Sequence, residues 1–250
     1  MVTTITTSST PPSPLMLLNV KVRCGSCNLR DLCLPMGLTE LEMDRLDKIV
    51  RHRRRIPRDT ALYRMNDPFI NLYAIRVGHF KTYQVNASGA HHISGFQMTG
   101  EILGMEAISA NRHQCDAVAL EDSEVCEIPF AELEGLLRDV PIMLRHFHRM
   151  MSREIAQDHT AMLQLGNLRA EQRFAAFLLN LSNRYKTRGY SATNFQLRMS
   201  REEIANFLGL TNETISRLLA QFKKTEWVKA NNREIELLNL PALNALVEGR

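Results

Sequence analysis

One stretch decides the fold of the C-terminal part of the chain: Ser200-Arg-Glu-Glu-Ile-Ala-Asn-Phe-Leu-Gly-Leu-Thr-Asn-Glu-Thr-Ile-Ser-Arg-Leu-Leu219. Ser200 and Glu203 form a capping box, in which each side chain satisfies a backbone N–H of the other, so a helix is predicted to begin there. Gly209 permits a sharp turn, and Thr211 caps a second helix. Two short capped helices joined by a glycine turn indicate a helix-turn-helix, a motif that binds DNA.

The second helix of this motif has a buried face and an exposed face. Its apolar residues share the buried face: Ile215, Leu218, Leu219 and Phe222. Glu213, Ser216 and Arg217 share the opposite face near the helix start, where a recognition helix contacts base edges. Arginine pairs with guanine, and glutamate accepts a hydrogen bond from cytosine. The alternative is a helical hairpin in which Glu213 and Arg217 only form an ion pair.

Residues after the motif continue the pattern of a DNA-binding domain. Residues 227–237, with a turn at Asn231-Asn232, predict a β-hairpin wing. The candidate phosphate contacts are Lys223, Lys224, Lys229 and Arg233, and Thr211 is also a candidate contact. Residues 169–250 hold 13 Lys and Arg against 8 Asp and Glu, whereas the rest of the chain holds 18 against 19. All the excess positive charge therefore lies in this C-terminal domain.

The whole chain has 250 residues, which is enough for two domains with separate cores. It contains no apolar run of the roughly 18 residues that a membrane span requires, and its short N-terminal apolar patch does not resemble a signal peptide. No nucleophile–base set is evident. We therefore expect a cytoplasmic protein that contacts no membrane and is not an enzyme.

The N-terminal half consists of segments that differ in composition and hydrophobic pattern. Residues 1–20 are rich in Thr, Ser and Pro and predict a disordered tail. A cysteine-bearing loop and a capped helix over 39–50 follow. Short apolar runs separated by turn residues from Ile56 to Ile128 predict a small barrel or sandwich. The basic run Arg51–Arg55 is interpreted as a solvated helix end, with a nucleic-acid patch as the alternative.

A long helix is predicted from Pro141, which suits the first turn, after a short helix over 130–137. A narrow seam recurs along it at three- and four-residue steps: Met143, Phe147, Met151, Ile155, Asp158 and Met162. Such a seam fits pairing with a second copy of the helix, or packing on the helix's own domain. Asp158 favours pairing, because an ordinary core excludes an unpaired carboxylate.

Three of the five cysteines lie on one short loop, as Cys24, Cys27 and Cys33. A metal centre uses such a cluster of thiols, and a fourth ligand would come from Cys115 or Cys126. Four thiolates can hold tetrahedral zinc or an iron–sulfur cluster. Because zinc sites usually show two Cys-x2-Cys pairs and only one is present, the spacing favours iron–sulfur without excluding zinc.

The sequence resembles the CRP/FNR family of bacterial regulators, and within it the oxygen-sensing FNR branch. The resemblance spans about residues 24–240 and rests on four stretches: the cysteine loop running into Leu34-Pro35, Leu72-Tyr-Ala-Ile-Arg76, Val125-Cys-Glu-Ile-Pro-Phe130, and the helix-turn-helix from Gly209 to Leu219. It implies an α+β fold. We expect an N-terminal β-roll sensor domain over 21–140, a dimerisation helix over 141–168 and a winged helix-turn-helix domain over 169–250.

The resemblance also implies a cofactor, partners and an output. The [4Fe–4S] ligands would be Cys24, Cys27, Cys33 and Cys126, with Cys115 a small buried hydrophobe. The expected partners are a second copy of the chain, double-stranded DNA carrying TTGAT-like inverted repeats, and RNA polymerase. The expected output is oxygen-dependent activation or repression. The alternative is a CRP-like regulator with structural zinc or a small-molecule effector.

Cyclic nucleotide binding, which other family members show, is not expected here. The resemblance places an Arg-Ser pair after the glycine segment Gly100–Gly104, but His113 and Gln114 stand there instead. Without that arginine a cyclic phosphate lacks its bidentate partner. We therefore expect a sensor domain that does not respond to cyclic nucleotides.

Overall fold

The computed structural model of the chain describes residues 23–50, 52–86 and 89–249, so the predicted tail over 1–20 lies outside the described residues. The helices are α1 (Glu40–Ile49), α2 (Phe130–Asp139), α3 (Pro141–Asn167), α4 (Ala170–Thr187), α5 (Arg201–Leu208), α6 (Asn212–Lys224) and α7 (Leu240–Glu248). The strands are β1 (His52–Ile56), β2 (Ala61–Tyr63), β3 (Asn71–Val77), β4 (His79–Val85), β5 (His91–Met98), β6 (Ile102–Leu103), β7 (Asp116–Ala119), β8 (Ser123–Pro129), β9 (Asn194–Gln196), β10 (Val228–Asn231) and β11 (Glu234–Leu237).

The first eight strands form a sandwich of two antiparallel sheets, ordered β1-β8-β3-β6 and β2-β7-β4-β5. Side chains alternate across each strand, so that Ile75 and Val125 point into the sandwich and pack against Phe80 of the opposite sheet. Cys115 belongs to this interior core. The sandwich, the long helix and the C-terminal helical domain confirm the predicted α+β class with a β-roll.

The outer face of the β1-β8-β3-β6 sheet is also buried. Leu72, Ala74 and Ile128 point to this face, and α1, α2 and the start of α3 cover it. Thr39 caps α1 through the predicted capping box with Glu42. This second core matters for function because the cysteine loop packs on the same face.

The structure corrects one prediction about the sandwich. The basic run forms the edge strand β1 from His52 rather than a helix end, because its backbone pairs with β8 over five residues. Strand β5 pairs with β4 along its length. The His91 and His92 side chains at its start are exposed.

The C-terminal domain consists of α4 to α7 and a small sheet ordered β10-β11-β9. The predicted inward residues of α6 are buried and pack on α4, where Phe174 stacks on Phe222 with ring centroids 5.7 Å apart. The hairpin β10-β11 is the predicted wing. Strand β9 and helix α7 were not predicted. None of the helices in the described part of the chain is both long and apolar enough to span a membrane.

Candidate cofactor site and nucleic-acid interface

The cysteine loop lies against the outer face of the sheet. It opens with a 3-10 turn at Cys24–Ser26, and the Cys24 backbone N–H donates to the Asp47 carboxylate of α1 at 2.5 Å. Leu34 anchors its far end, because this side chain is 1% exposed in the core beneath α1 and α2. The loop is therefore held at both ends over the sheet.

Cys126 reaches this loop from β8. Its pairing partners are Arg53 on β1 and Ala74 on β3, and it points to the same face as Ile128. One pocket is lined by all four predicted ligands: Cys24, Cys27, Cys33 and Cys126. Cys115, in contrast, is buried between the two sheets, so Cys126 is the cysteine that joins the three loop thiols.

The environment of these cysteines is apolar. Burial raises the pKa of Cys33 to about 12 and that of Cys126 to about 11, and it also raises the pKa of Cys24. Without a cation the three groups are therefore neutral thiols. Metal ligation requires thiolates, so loading the site would release protons.

The spacing of the thiols is informative about the kind of centre they could hold. Within residues 23–50, 52–86 and 89–249, no three His, Cys, Asp or Glu side chains come close enough to share one metal ion. The cavity lined by the four cysteines has a volume of about 30 Å³, which is enough for a few water molecules only. A larger centre would therefore displace the cysteine side chains or the loop that carries three of them.

The loop is also joined to α3. The His146 Nε2 atom lies 3.0 Å from the Cys33 carbonyl oxygen, and burial lowers the pKa of His146, which favours the neutral ring. His146 carries no signal of this contact in the sequence, since nothing near it points to the loop. A movement of Cys33 would therefore act directly on His146, near the start of α3.

The predicted seam on α3 divides into two parts. Met143 is 0% exposed and Phe147 is 5% exposed, and both pack in the core of their own domain. For these two residues the structure favours the alternative of packing within the chain, because no surface is left for a partner. Met151 is half-buried and Asp158 is exposed, while Ile155 and Met162 are 54% and 69% exposed.

The β-roll contains a cleft of about 520 Å³ between the sandwich and α3. Among the described residues, the side chains that line this cleft include Glu106, Glu154 and Asp158 but no Lys or Arg. His113, which replaces the expected arginine, is buried and bonded to Glu106 at 3.0 Å. The lining supports the expectation that no cyclic phosphate binds there.

The helix-turn-helix has the predicted local geometry. Ser200 caps α5 and completes the capping box with Glu203. Gly209 adopts the left-handed conformation at φ 61°, and Thr211 caps α6 by accepting from the Thr214 N–H. The turn between α5 and α6 therefore depends on the residues that predicted it.

The predicted base-contacting face of α6 is accessible. Glu213 and Arg217 are exposed and Ser216 is half-buried between them. No ion pair among the described residues joins Glu213 to Arg217, so the helical-hairpin alternative lacks its expected contact. The face is free to meet DNA.

The candidate phosphate contacts differ among themselves. Lys223 and Lys224 are exposed in the last turn of α6. Lys229 lies 3.6 Å from Glu236 across the wing, and Arg233 donates to the Arg198 carbonyl oxygen at 3.1 Å. Lys229 is therefore partly engaged within the wing and Arg233 by the segment between β9 and α5, whereas the two lysines of α6 remain available.

The C-terminal domain docks on the sandwich. Arg184 and Arg188 of α4 both bond to the Glu101 carboxylate, at 2.6 Å and 2.5 Å. Lys81 of β4 pairs with Glu203 at 2.6 Å. Glu101, which belongs to the segment Gly100–Gly104, therefore links the two domains.

Comparisons with known proteins match this architecture in both halves. The family model described as "Crp-like helix-turn-helix domain" matches residues 172–246, and that described as "Cyclic nucleotide-binding domain" matches residues 53–139. The structure of FixK2 from Bradyrhizobium japonicum is similar, with a TM-score of 0.72 and 28% identity over 78% of this chain and 96% of that chain.

Two curated relatives extend the similarity to nearly the full length. "Transcriptional regulatory protein btr" of Bordetella pertussis is 45% identical over 90% of this chain and 93% of its own. "Anaerobic regulatory protein" of Pasteurella multocida is 41% identical over 89% of this chain and 81% of its own. The chain belongs to the CRP/FNR family. It is a transcription regulator, not an enzyme, of a class that binds DNA through its helix-turn-helix and acts as a dimer.

Proposed function

We propose that this regulator responds to oxygen by binding a [4Fe–4S] cluster through Cys24, Cys27, Cys33 and Cys126. The observation that carries the proposal is the single pocket lined by these four thiols. Cysteine thiolates are the usual ligands of such clusters. The name of the Pasteurella multocida relative, "Anaerobic regulatory protein", supports a role in the absence of oxygen.

The spacing of the thiols favours a cluster over structural zinc. Structural zinc sites usually show two Cys-x2-Cys pairs, whereas this chain has one, Cys24-x2-Cys27. A cluster distributes its thiolates over several iron atoms and so tolerates a wider set. A cluster would supply the oxygen-sensitive chemistry, while the protein supplies the ligands and an apolar cover.

Loading the site would move the loop, and the loop is bonded to α3. A cluster would displace the thiols because the cavity that they line is about 30 Å³, and His146 joins the Cys33 carbonyl to α3. The exposed part of α3 is where we expect two chains to pair, through Met151, Ile155, Asp158 and Met162. Two Asp158 carboxylates would repel each other there.

Dimerisation is therefore marginal and easily shifted. A bias of about 3 kcal/mol from the loaded site changes the dimerisation constant by roughly a hundredfold. The loaded site would then act on DNA binding through the population of dimers, with no need to alter α6 itself.

A dimer would present two α6 helices to an inverted repeat, with half-sites about one helical turn apart. Glu213, Ser216 and Arg217 would read bases in a TTGAT-like half-site, and Thr211, Lys223 and Lys224 would contact the backbone. Regulation would occur in the cytoplasm through contact with RNA polymerase, activating or repressing genes of anaerobic metabolism.

Iron and sulfide counts test the proposal. The full chain, reconstituted without oxygen, should hold about four iron and four sulfide per chain and should bleach in air. Cys126→Ser should lose the cluster, whereas the matched control Cys115→Ser should keep it because Cys115 lies between the sheets. A colourless protein with stoichiometric zinc, or equal iron in both variants, would contradict the proposal.

A further inference from the structure

Two arginines lie on the face of the sheet that carries Cys126. Arg53 is the direct partner of Cys126 in the β1–β8 pairing. Arg76 shares parity with Ala74, the partner of Cys126 on β3, and occupies the irregularity between Ile75 and Val77. A bulge re-aims a side chain locally, and Arg76 lines the cysteine pocket. The sheet therefore places two cations beside the proposed ligand.

These two cations have only one carboxylate between them in the described part of the chain. Arg76 donates to Glu124 at 2.9 Å, and the Arg53 Nε atom lies 3.8 Å from the same Glu124 oxygen. The single negative charge of Glu124 therefore cannot neutralise both guanidinium groups. A partly buried charge calls for an opposite charge nearby.

Each arginine also has a donor without an acceptor. The Nε atoms of Arg53 and Arg76 are buried, and neither has a hydrogen-bond partner among the described residues. Buried donors are normally satisfied, so these two neighbouring Nε–H groups are available to an acceptor bound at this place. Thiolate sulfurs and an anionic cluster are acceptors of the required charge.

We infer that Arg53 and Arg76 are positioning residues that stabilise negative charge on the cluster of the proposed function. The inference rests on that proposed function. Hydrogen bonds to the sulfurs and the net charge of the surroundings set the reduction potential of iron–sulfur centres. One-electron reduction makes the cluster more negative, so nearby guanidinium groups favour the reduced state and raise its potential.

The neighbouring Arg54 provides a matched control on the same strand. Its partner in the sheet is Val125, and its side chain pairs with Glu127 at 3.4 Å on the opposite face. Arg54→Gln removes the same charge from the same strand, but away from the cysteines. A difference between Arg53→Gln and Arg54→Gln therefore reports the face of the sheet and not the overall charge of the protein.

The experiment is a reductive titration of the reconstituted full chain with dithionite as the electron donor, followed by electron paramagnetic resonance. The Arg53→Gln/Arg76→Gln double variant should reduce with an equilibrium constant about tenfold smaller than the wild type, which is a shift of about −59 mV for one electron. Arg53→Gln alone should shift the potential in the same direction, whereas its matched control Arg54→Gln should have the wild-type potential. Arg53→Lys/Arg76→Lys should have a potential close to that of the wild type because it keeps both charges. A double glutamine variant with the wild-type potential would overturn the inference.

Cluster retention covers the case in which the glutamine variant cannot be titrated. If it loses iron while the lysine variant keeps four iron per chain, charge beside Cys126 is required and the inference stands. If the lysine and glutamine variants lose iron equally, charge is not what matters and the inference fails. Failure of the wild type to bind any cluster would instead overturn the proposed function.

Discussion

The helix-turn-helix and the cysteine pocket are built in different ways. Between Ser200 and Leu219, each cap, turn and buried face is made by residues close together in sequence. The pocket instead brings the loop carrying Cys33 to Cys126 of β8, and it exists only once the sheet and its cover have formed. Local sequence thus determines what this protein binds, and long-range packing determines the environment that would regulate binding.

Glu154 of α3 gives the largest effect expected from long-range packing. Burial, and then the nearby carboxylates of Glu101 and Asp158, raise its pKa to about 7, compared with about 4.3 in an unfolded chain. An acid whose pKa is raised by folding stabilises the native state below the unfolded value, and this contribution is lost as the pH rises to about 7. Glu154→Gln, which cannot ionise, should be more stable than the wild type by about 3 kcal/mol at about pH 8.

Urea unfolding at about pH 8 and about pH 4.5 measures this effect, and the gain should be much smaller at the lower pH. Glu134→Gln is the matched control, because Glu134 is exposed on α2. An equal gain at both pH values would show that the substituted glutamine side chain packs better and that ionisation is not the cause. Either result sharpens the contrast, since the two largest causes of the raised pKa, burial and Glu101, come from packing between distant segments, and only Asp158 lies nearby on α3.

Arg217 gives the next largest effect, and it belongs to the locally determined region. Replacing it with Ala should remove about 2 kcal/mol of discrimination at one base position, which is roughly thirtyfold in relative affinity. Lys223→Ala, in the last turn of the same helix, should weaken all sequences equally and reduce the salt dependence by about one ion. Fluorescence anisotropy on inverted repeats substituted at each position distinguishes the two. Uniform weakening by Arg217→Ala would make it a phosphate contact.

The sequence was sufficient for the features whose causes are local. The caps at Thr39 and Ser200, the turn at Gly209 and the wing all follow from residues a few positions apart. Cys126 and Ile128 are two residues apart on β8 and therefore share a face. That face is the one that carries the cysteine loop.

The rest depends on which strands pair and what covers them. Arg53 lies beside Cys126 only because of the β1–β8 register. The sequence alone does not show this pairing, so its basic run is also compatible with a helix end. Met143 and Phe147 fit a seam for a partner helix equally well, and only the cover they give the sheet shows that they pack within the chain. The contact between His146 and Cys33 joins segments far apart in sequence.

The smallest expected effect tests whether the difference lies between the two halves of the molecule or between local and long-range interactions. Both halves contain the same local motif: Ser200 accepts from the Glu203 N–H at 3.1 Å, and Thr39 accepts from the Glu42 N–H at 3.4 Å. Ser200→Ala and Thr39→Ala should each lower the free energy of unfolding by about 1 kcal/mol. Chemical denaturation of the two variants, followed by far-ultraviolet circular dichroism, measures both losses.

Similar losses would show that local motifs contribute alike wherever they occur, which leaves long-range assembly as the distinguishing property of the cysteine pocket. A loss of free energy of unfolding several times larger for Thr39→Ala would mean instead that the cap of α1 also stabilises the pocket. Helix α1 covers the sheet and holds Cys24 through Asp47. The cap of α1 would then belong to the long-range assembly, and the boundary between the two kinds of construction would lie at the cover of the sheet.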